Sequence, residues 1–453
     1  MTKFLLTALA LCLCSPPGRA QEAPRPGSQG VVAVAGGNQK TVRRDTFDLV
    51  WRTVHENHFD PTFGGLDWAQ VRARYEPLAL SAGTEAEFHD VLRRMVGELK
   101  LSHFAIYPPG ALDTAPASGA AGGAPADRRG AAGLDVRFVG GRAVVTRVEA
   151  GSAAERAGLR TGFVLTKVGA RDLAAESRRG AGSRLSESYR QTRLRGAVLA
   201  ALGGAAGETR RVAYVDAGGR PREAVLTLLE SSEEMSEPFG NFPAMPTQFE
   251  SRRIGEVGYI RFNIWVASLM PKLRAAVREQ KDARALVFDL RGNPGGLGVM
   301  SSGLAGMLTD KELSLGTMRQ RRGHTNFFVN PQPGPFLGPV VVIVDGLSGS
   351  TSELFALGLQ EAGRAVVVGE RSAGAALPSM FVRLPTGGTF QFAFADFKTP
   401  KGVPVEGRGV LPDVPVGLDR RSLLAGRDPQ LEAALAVARR GGAARRPRGA
   451  ARE

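Results

Sequence analysis

Val340–Ala356 reads VVVIVDGLSGSTSELFA: a run of β-branched apolar residues, a turn of small residues at Gly346–Ser352, then a helical restart at Glu353-Leu-Phe-Ala. This order predicts a buried strand that passes through a tight turn into a helix. Such a junction lifts one hydroxyl out beside the backbone N–H groups of a helix N-terminus. A nucleophile needs that setting, because nearby amides can hold a developing oxyanion. The same serines also suit a plain capping role, with Ser350 or Ser352 accepting amide hydrogen bonds. The segment alone does not separate the two uses.

Outward from it, Ile254-Gly-Glu-Val-Gly-Tyr-Ile-Arg-Phe, Leu286–Leu290 and Ala365–Val368 read as further strands, and Met270–Glu279 and Ser352–Glu361 as helices between them. The alternation predicts an α/β layered core over residues 254–438 with buried, mostly parallel strands, closed by a helix at Asp428–Arg439. One strand runs into Asp289-Leu-Arg-Gly-Asn-Pro-Gly-Gly-Leu-Gly, whose four glycines let backbone amides approach a ligand. The loop lacks the Gly-Lys-Ser/Thr ending of a P-loop and the spacing of a dinucleotide fingerprint. An oxyanion hole suits it better.

Upstream, Phe47, Val50, Trp51 and Val54 share a helical face, as do Phe88, Leu92, Met95 and Leu99, which predicts a helical domain over 45–107. His55 and His58 stand three apart with no third ligand nearby, so they read as a solvated helix edge, and no metal is expected. Residues 21–44 read as a flexible N-terminus, 108–130 and 230–253 as linkers, and 439–453 as a basic, disordered tail. Residues 131–229 give strand, strand, short helix ended by Gly158, strand, and a closing hairpin that turns at Gly218-Gly219. That order resembles a PDZ module. The resemblance implies capture of extended C-termini by strand addition, with Ala132–Leu134 as the carboxylate loop and Gly133, Leu134, Asp135 and Val136 as substrate-binding residues. The plainer alternative is a β-rich spacer.

Composition bounds the chemistry. The 453 residues are long enough for two or three domains with ordinary cores. Residues 1–20 carry an early lysine, an apolar run, and small residues Gly18 and Ala20 before a cut, the pattern of a secretory signal peptide. Both cysteines, Cys12 and Cys14, lie inside it. A mature chain would therefore hold no disulfide and no thiolate, and its chemistry would fall to hydroxyl, imidazole, carboxylate or lysine. A periplasmic or secreted location is expected, with no stable membrane span. The net charge of +15 comes from scattered arginines and the tail, without interleaved aromatics, so no nucleic-acid partner is expected.

Taken together, residues 45 to about 438 resemble the family of C-terminal-processing and tricorn-like serine peptidases: helical N-domain, PDZ module, DLRGNPGG, a Ser-rich turn ending in Ser-Glu, and Glu406-Gly-Arg-Gly-Val-Leu-Pro-Asp. The implied fold is multidomain α+β with a ClpP/crotonase-like core. The resemblance implies Ser350 as nucleophile and the amides of Thr351 and Gly296 (or Gly295) as oxyanion donors. One branch of the family takes its base from a lysine that would stand at Ala375, and a methyl group takes no proton. The tricorn-like branch uses a Ser-His pair and a late glutamate, which match Ser102, His103 and Glu406. Neighbours on a regular strand point to opposite faces, so Ser102 and His103 share a site only if the chain bends there. The expected function is an exported, cofactor-free serine endopeptidase acting on polypeptides held by their C-termini. A non-catalytic peptide-binding scaffold with a degenerate core is the alternative.

Overall fold

A computed structural model describes residues 39–109, 129–179, 187–238 and 244–441. The expected signal peptide at 1–20, residues 21–38, most of the expected linker at 108–130 and most of the expected basic tail lie outside the described residues.

The core is a six-stranded sheet in the order Phe249–Ile254, Val257–Phe262, Ala285–Asp289, Val340–Val344, Ala365–Gly369, Val414–Pro415. The first pair is an antiparallel hairpin and every later pair is parallel. Parallel strands are covered on both faces, and ALVFD, VVVIV and AVVVG are accordingly buried at every residue. One face packs Phe262, Phe288 and Val342 against Leu273, Leu304 and Phe355 of three helices. The other packs Tyr259, Val287 and Ile343 against Ala434, Leu435 and Ala438 of the helix Pro429–Arg439.

Two expected boundaries move. Phe249–Ile254 is the edge strand of the core sheet, where the sequence reading places the end of a linker. FESRRI has no apolar run because an edge strand buries little, and its order comes from the ladder with Val257–Phe262. The first helix begins at Gln39, ahead of Asp45, inside the segment read as flexible. Its early turns are held from outside: Arg43 donates to Glu85 Oε1 at 2.9 Å and to the Ala82 carbonyl at 2.5 Å.

The N-terminal helices Gln39–Asn57, Trp68–Leu80 and Glu85–Gly97 do not close a core by themselves. Phe47, Phe88 and Leu92 share a cluster with Leu377, Phe390 and Phe392, which come from the core's stretch of sequence. Strand Ala105–Tyr107 pairs with Thr389–Ala393, which pairs with Ser379–Arg383. The hairpin of residues 379–393 is thus a graft that ties the N-terminal unit to the core. His58 is not a solvated edge residue. It is 2% exposed and stacks on Phe59 and Phe104.

The middle unit is a second, antiparallel sheet whose edge strand is Leu134–Val139, with the helix Glu187–Ala201 packed beside that strand. Arg137 fastens it to the core through an ion pair with Asp345 at 2.8 Å. No helix among the described residues is long and apolar enough to cross a membrane.

Candidate active site

Three serines compete in the turn after Val340–Val344, and their hydrogen bonds separate them. Ser348 is fully buried; its Oγ donates to the Leu290 carbonyl at 2.8 Å and accepts from the Asp345 amide at 2.9 Å. Ser352 accepts from Trp265 Nε1 at 2.9 Å and donates to the Asn293 carbonyl at 3.0 Å. Both hydroxyls brace the turn. Ser350 is half-buried and stands in a capping box with Glu353 at the start of the helix Thr351–Glu361, and its hydroxyl donates to no partner among the described residues. Its backbone, at φ 51° and ψ −119°, lies where non-glycine residues are strained by about 1–3 kcal/mol. The surroundings hold it there: the Ser350 amide donates to the Ala375 carbonyl at 2.9 Å and the Gly349 amide to the Asn293 carbonyl at 3.0 Å.

The glycine loop lies against this turn. A Cβ on Gly295 would stand 2.6 Å from Ser350 Cβ and 2.9 Å from the Thr351 nitrogen, so only glycine allows the approach. The Gly295 amide donates to Asn293 Oδ1 at 3.0 Å, whereas those of Gly296 and Thr351 have no partner among the described residues. Of the two glycines left open by the sequence, Gly296 therefore has the free donor. The Thr351 hydroxyl donates to the Gly296 carbonyl at 2.8 Å and couples the two peptide groups.

Ser102, His103 and Glu406 come together from opposite ends of the chain. His103 has φ 60°, a left-handed residue that breaks the extended run before Ala105–Tyr107. This is the bend that lets neighbouring side chains meet: Ser102 Oγ lies 2.7 Å from His103 Nδ1. Glu406 accepts from the Ser102 amide at 2.7 Å, the Ser102 hydroxyl at 2.9 Å and the Ala376 amide at 3.1 Å. The single Ser102 proton goes to the carboxylate, so Ser102 Oγ accepts from His103 Nδ1–H and the Nε2 lone pair is left free. Burial pushes the His103 imidazole down to about 4, so the ring is neutral at pH 7. Burial raises the Glu406 carboxyl, against the hydrogen bonds from Ser102 and Ala376. Ala375 and Ala376 bridge the halves, one bonded to Ser350 and the next to Glu406; His103 and the Ser350 hydroxyl share no direct hydrogen bond.

Lys398 pairs in a strand with Thr317, Lys401 is exposed, and neither bonds to the Ser350 turn among the described residues. Gly133, at φ 68°, opens the edge strand that contains Leu134, Asp135 and Val136. The Asp135 carboxylate is engaged by Arg137 and Arg195, both at 2.8 Å. The described residues contain no cluster of three acid, His or Cys side chains able to hold a metal. Sequence reasoning missed Glu353, whose buried carboxylate receives four donors, and the Arg137–Asp345 pair. Glu353 closes the Ser-Glu that ends the turn and stands three residues after Ser350, at capping-box spacing; neither signal shows that it is buried.

Residues 256–416 match the model of peptidase family S41, and residues 40–97 match that of the tricorn protease C1 domain. The core is thus similar to peptidase family S41. The chain is 31% identical over 160 residues to part of a carboxyl-terminal-processing protease of Picosynechococcus sp., 35% of this chain and 38% of that protein. A longer alignment, at 26% identity, covers 80% of the chain and 75% of the chloroplastic C-terminal processing peptidase of Tetradesmus obliquus. The chain spans about two fifths of the length of the Picosynechococcus protein and of a Bartonella bacilliformis carboxy-terminal-processing protease. Its fold is similar to that of the photosystem II D1 C-terminal processing protease, with a TM-score of 0.56 at 24% identity over 91% of this chain and 100% of that one.

Proposed function

We propose that this protein is an exported serine endopeptidase of the tricorn-like type, with Ser350 as nucleophile and His103 as general base. The observation that carries the reading is the Glu406–Ser102–His103 hydrogen-bond chain, which leaves Nε2 unprotonated and is tied to the strained Ser350 turn through Ala375 and Ala376. Ser350 Oγ attacks the scissile carbonyl carbon as its proton passes to His103 Nε2. The carbonyl oxygen, now negative, takes hydrogen bonds from the Gly296 and Thr351 amides. Glu406, acting through Ser102, stabilises the imidazolium. Collapse of the tetrahedral intermediate breaks the C–N bond, and the departing amine takes the proton from Nε2. Water then attacks the acyl-enzyme by the same proton route and releases the acid.

In this reading the middle unit is a PDZ module, and the edge strand Leu134–Val139 receives the C-terminal segment of the substrate as an added strand, with its carboxylate at the Gly133 loop. Residues 1–20 direct export. The names of the relatives, which describe carboxyl-terminal processing, support the same substrate class.

A fluorophosphonate probe tests the assignment. The full chain should be labelled covalently, and Ser350→Ala should abolish labelling and peptide hydrolysis with the thermal transition unchanged. Undiminished labelling of Ser350→Ala would refute the nucleophile. A wild-type protein that neither labels nor cleaves would be the peptide-binding scaffold.

A further inference from the structure

One fully buried carboxylate beside the site takes no part in that relay. Glu353 is 0% exposed, and its oxygens meet only donors. Oε1 accepts from the Ser372 hydroxyl at 2.5 Å and the Gly374 amide at 2.7 Å; Oε2 accepts from the Ser350 and Ala375 amides, both at 3.0 Å. Four converging donors match an ionised carboxylate, which is acceptor-only. Buried carboxylates ordinarily have a cationic partner. Glu353 has none among the described residues.

The contacts are also placed tellingly. The Ser350 amide is shared between Glu353 and the Ala375 carbonyl, and the next amide, of Ala376, donates to Glu406. The segment Ser372–Ala376 therefore touches the nucleophile turn with one residue and the Glu406–Ser102–His103 relay with the next. Glu353 holds that segment at three points. We infer that ionised Glu353 is a positioning residue that locks the Ser350 turn to Ser372–Ala376 and so sets the relative placement of Ser350 and the relay. A proton on Glu353 turns one acceptor into a donor: it opposes a backbone N–H, or it forces the Ser372 hydroxyl to accept instead of donate, and either way the four-donor arrangement is broken.

Burial pushes the Glu353 carboxyl up to about 7, against the hydrogen bonds from Ser372, Gly374, Ser350 and Ala375. His103 sits at about 4. The two groups thus predict acid limbs at different pH. The charged or titratable residues on the segments packed around Glu353 are Asp345, Glu370, Arg371, Glu406, Arg408 and His103. None of these bonds to it: Asp345 pairs with Arg137, and Arg371 donates to the Gly407 and Arg408 carbonyls. The carboxyl's titration is therefore governed by burial and by its four donors.

The inference rests on Ser350 being the nucleophile, and the test keeps the two separable. The rate of fluorophosphonate labelling and the kcat for a peptide are measured on the full chain from pH 4 to 9. Both should rise through a midpoint near 7 in the wild type. Ser372→Ala removes one donor to the carboxylate and should move the midpoint up by about one pH unit. Glu353→Gln should erase the limb near 7 and lower the plateau kcat by about 100-fold, the scale of a misplaced nucleophile, with KM within about twofold. If Glu353→Gln does not fold, the Ser372→Ala shift decides. A labelled wild type whose only acid limb lies near 4, or a limb near 7 unmoved by Ser372→Ala, overturns the role of Glu353 and leaves Ser350 standing. Absence of labelling at every pH overturns the Ser350 assignment and this inference with it.

Discussion

Glu406→Gln changes one oxygen to NH2 and nothing in volume, so its cost can be worked from the hydrogen bonds alone. Oε1 faces the Ser102 amide at 2.7 Å, and Oε2 faces the Ser102 hydroxyl at 2.9 Å and the Ala376 amide at 3.1 Å. An NH2 at the first place opposes a backbone N–H. At the second it opposes only the longer contact, the Ala376 N–H at 3.1 Å, so the NH2 settles there and turns Ser102 from donor into acceptor. The Ser102 proton must then point to His103 Nδ1, which makes Nδ1 an acceptor and moves the ring proton to Nε2. A protonated Nε2 cannot receive the Ser350 proton. Wrong-tautomer arrest of this kind costs about 10⁴-fold in the Asp→Asn variant of a serine protease triad, an established case in another protein. We expect kcat to fall by about 10³–10⁴, equivalent to roughly 4–5.5 kcal/mol of barrier. KM should hold, because Glu406 touches no substrate. Steady-state kinetics on an unfolded polypeptide at pH 8, with the labelling rate alongside, measures it. A Glu406→Gln enzyme within tenfold of the wild type, and folded, would falsify the relay.

Other perturbations address separate parts of the machine. Gly296→Ala places a Cβ 2.2 Å from the Trp265 carbonyl oxygen, at a φ of 140° that side chains rarely adopt; the displaced amide should lower kcat by about 10²–10³, as loss of one oxyanion donor does, and unchanged kcat would reject Gly296 as that donor. Arg137→Ala leaves the buried Asp345 carboxylate without its cation. Burial would raise that carboxyl, and Arg137 with the Gly292 and Leu347 amides holds it below the usual range; the lowest thermal transition should lose about 3–5 kcal/mol, and a loss under 1 kcal/mol would mean the unit junction is held elsewhere. Amidating a substrate's C-terminus removes the charge that the Gly133 loop would receive, so KM should rise by about tenfold to a hundredfold with little change in kcat, the worth of a hydrogen bond to a charged group; equal kinetics for acid and amide would reject C-terminal capture.

What the sequence disclosed and what it withheld follow from the physics of each element. The core strands were legible because strands buried on both faces must be apolar at every position, and VVVIV and AVVVG are. Phe249–Ile254 was not, because an edge strand is ordered by its ladder and FESRRI carries no periodic face. The serines of the turn were visible as a set. Their ranking was not, since it depends on partners such as Trp265 and Leu290, which lie far away in sequence. Glu353 stayed hidden for a related reason. A Glu at the third position of a helix reads as a surface capping residue, and only the fold over it of Ser372–Ala375 makes it a buried acceptor.

The same logic explains why the proposed base was hard to read from its own neighbourhood. Leu101-Ser102-His103-Phe104 looks like the lead-in to a strand, in which Ser102 and His103 would face apart. Left-handed His103 prevents that, and such a residue persists only where its surroundings over-determine it. Here they do so from both sides. Phe104 and Ile106 are packed into the N-terminal cluster with Phe390 and Phe392, while Glu406 holds the Ser102 amide and hydroxyl. The first constraint comes from the grafted hairpin at 379–393 and the second from a turn just after it. A single excursion of the core chain therefore anchors the N-terminal unit, carries Ala375 and Ala376 past the Ser350 turn, and supplies the carboxylate that orients His103. With no lysine at position 375, the proposed proton acceptor, His103, comes from another unit. This excursion is what ties that unit to the Ser350 turn.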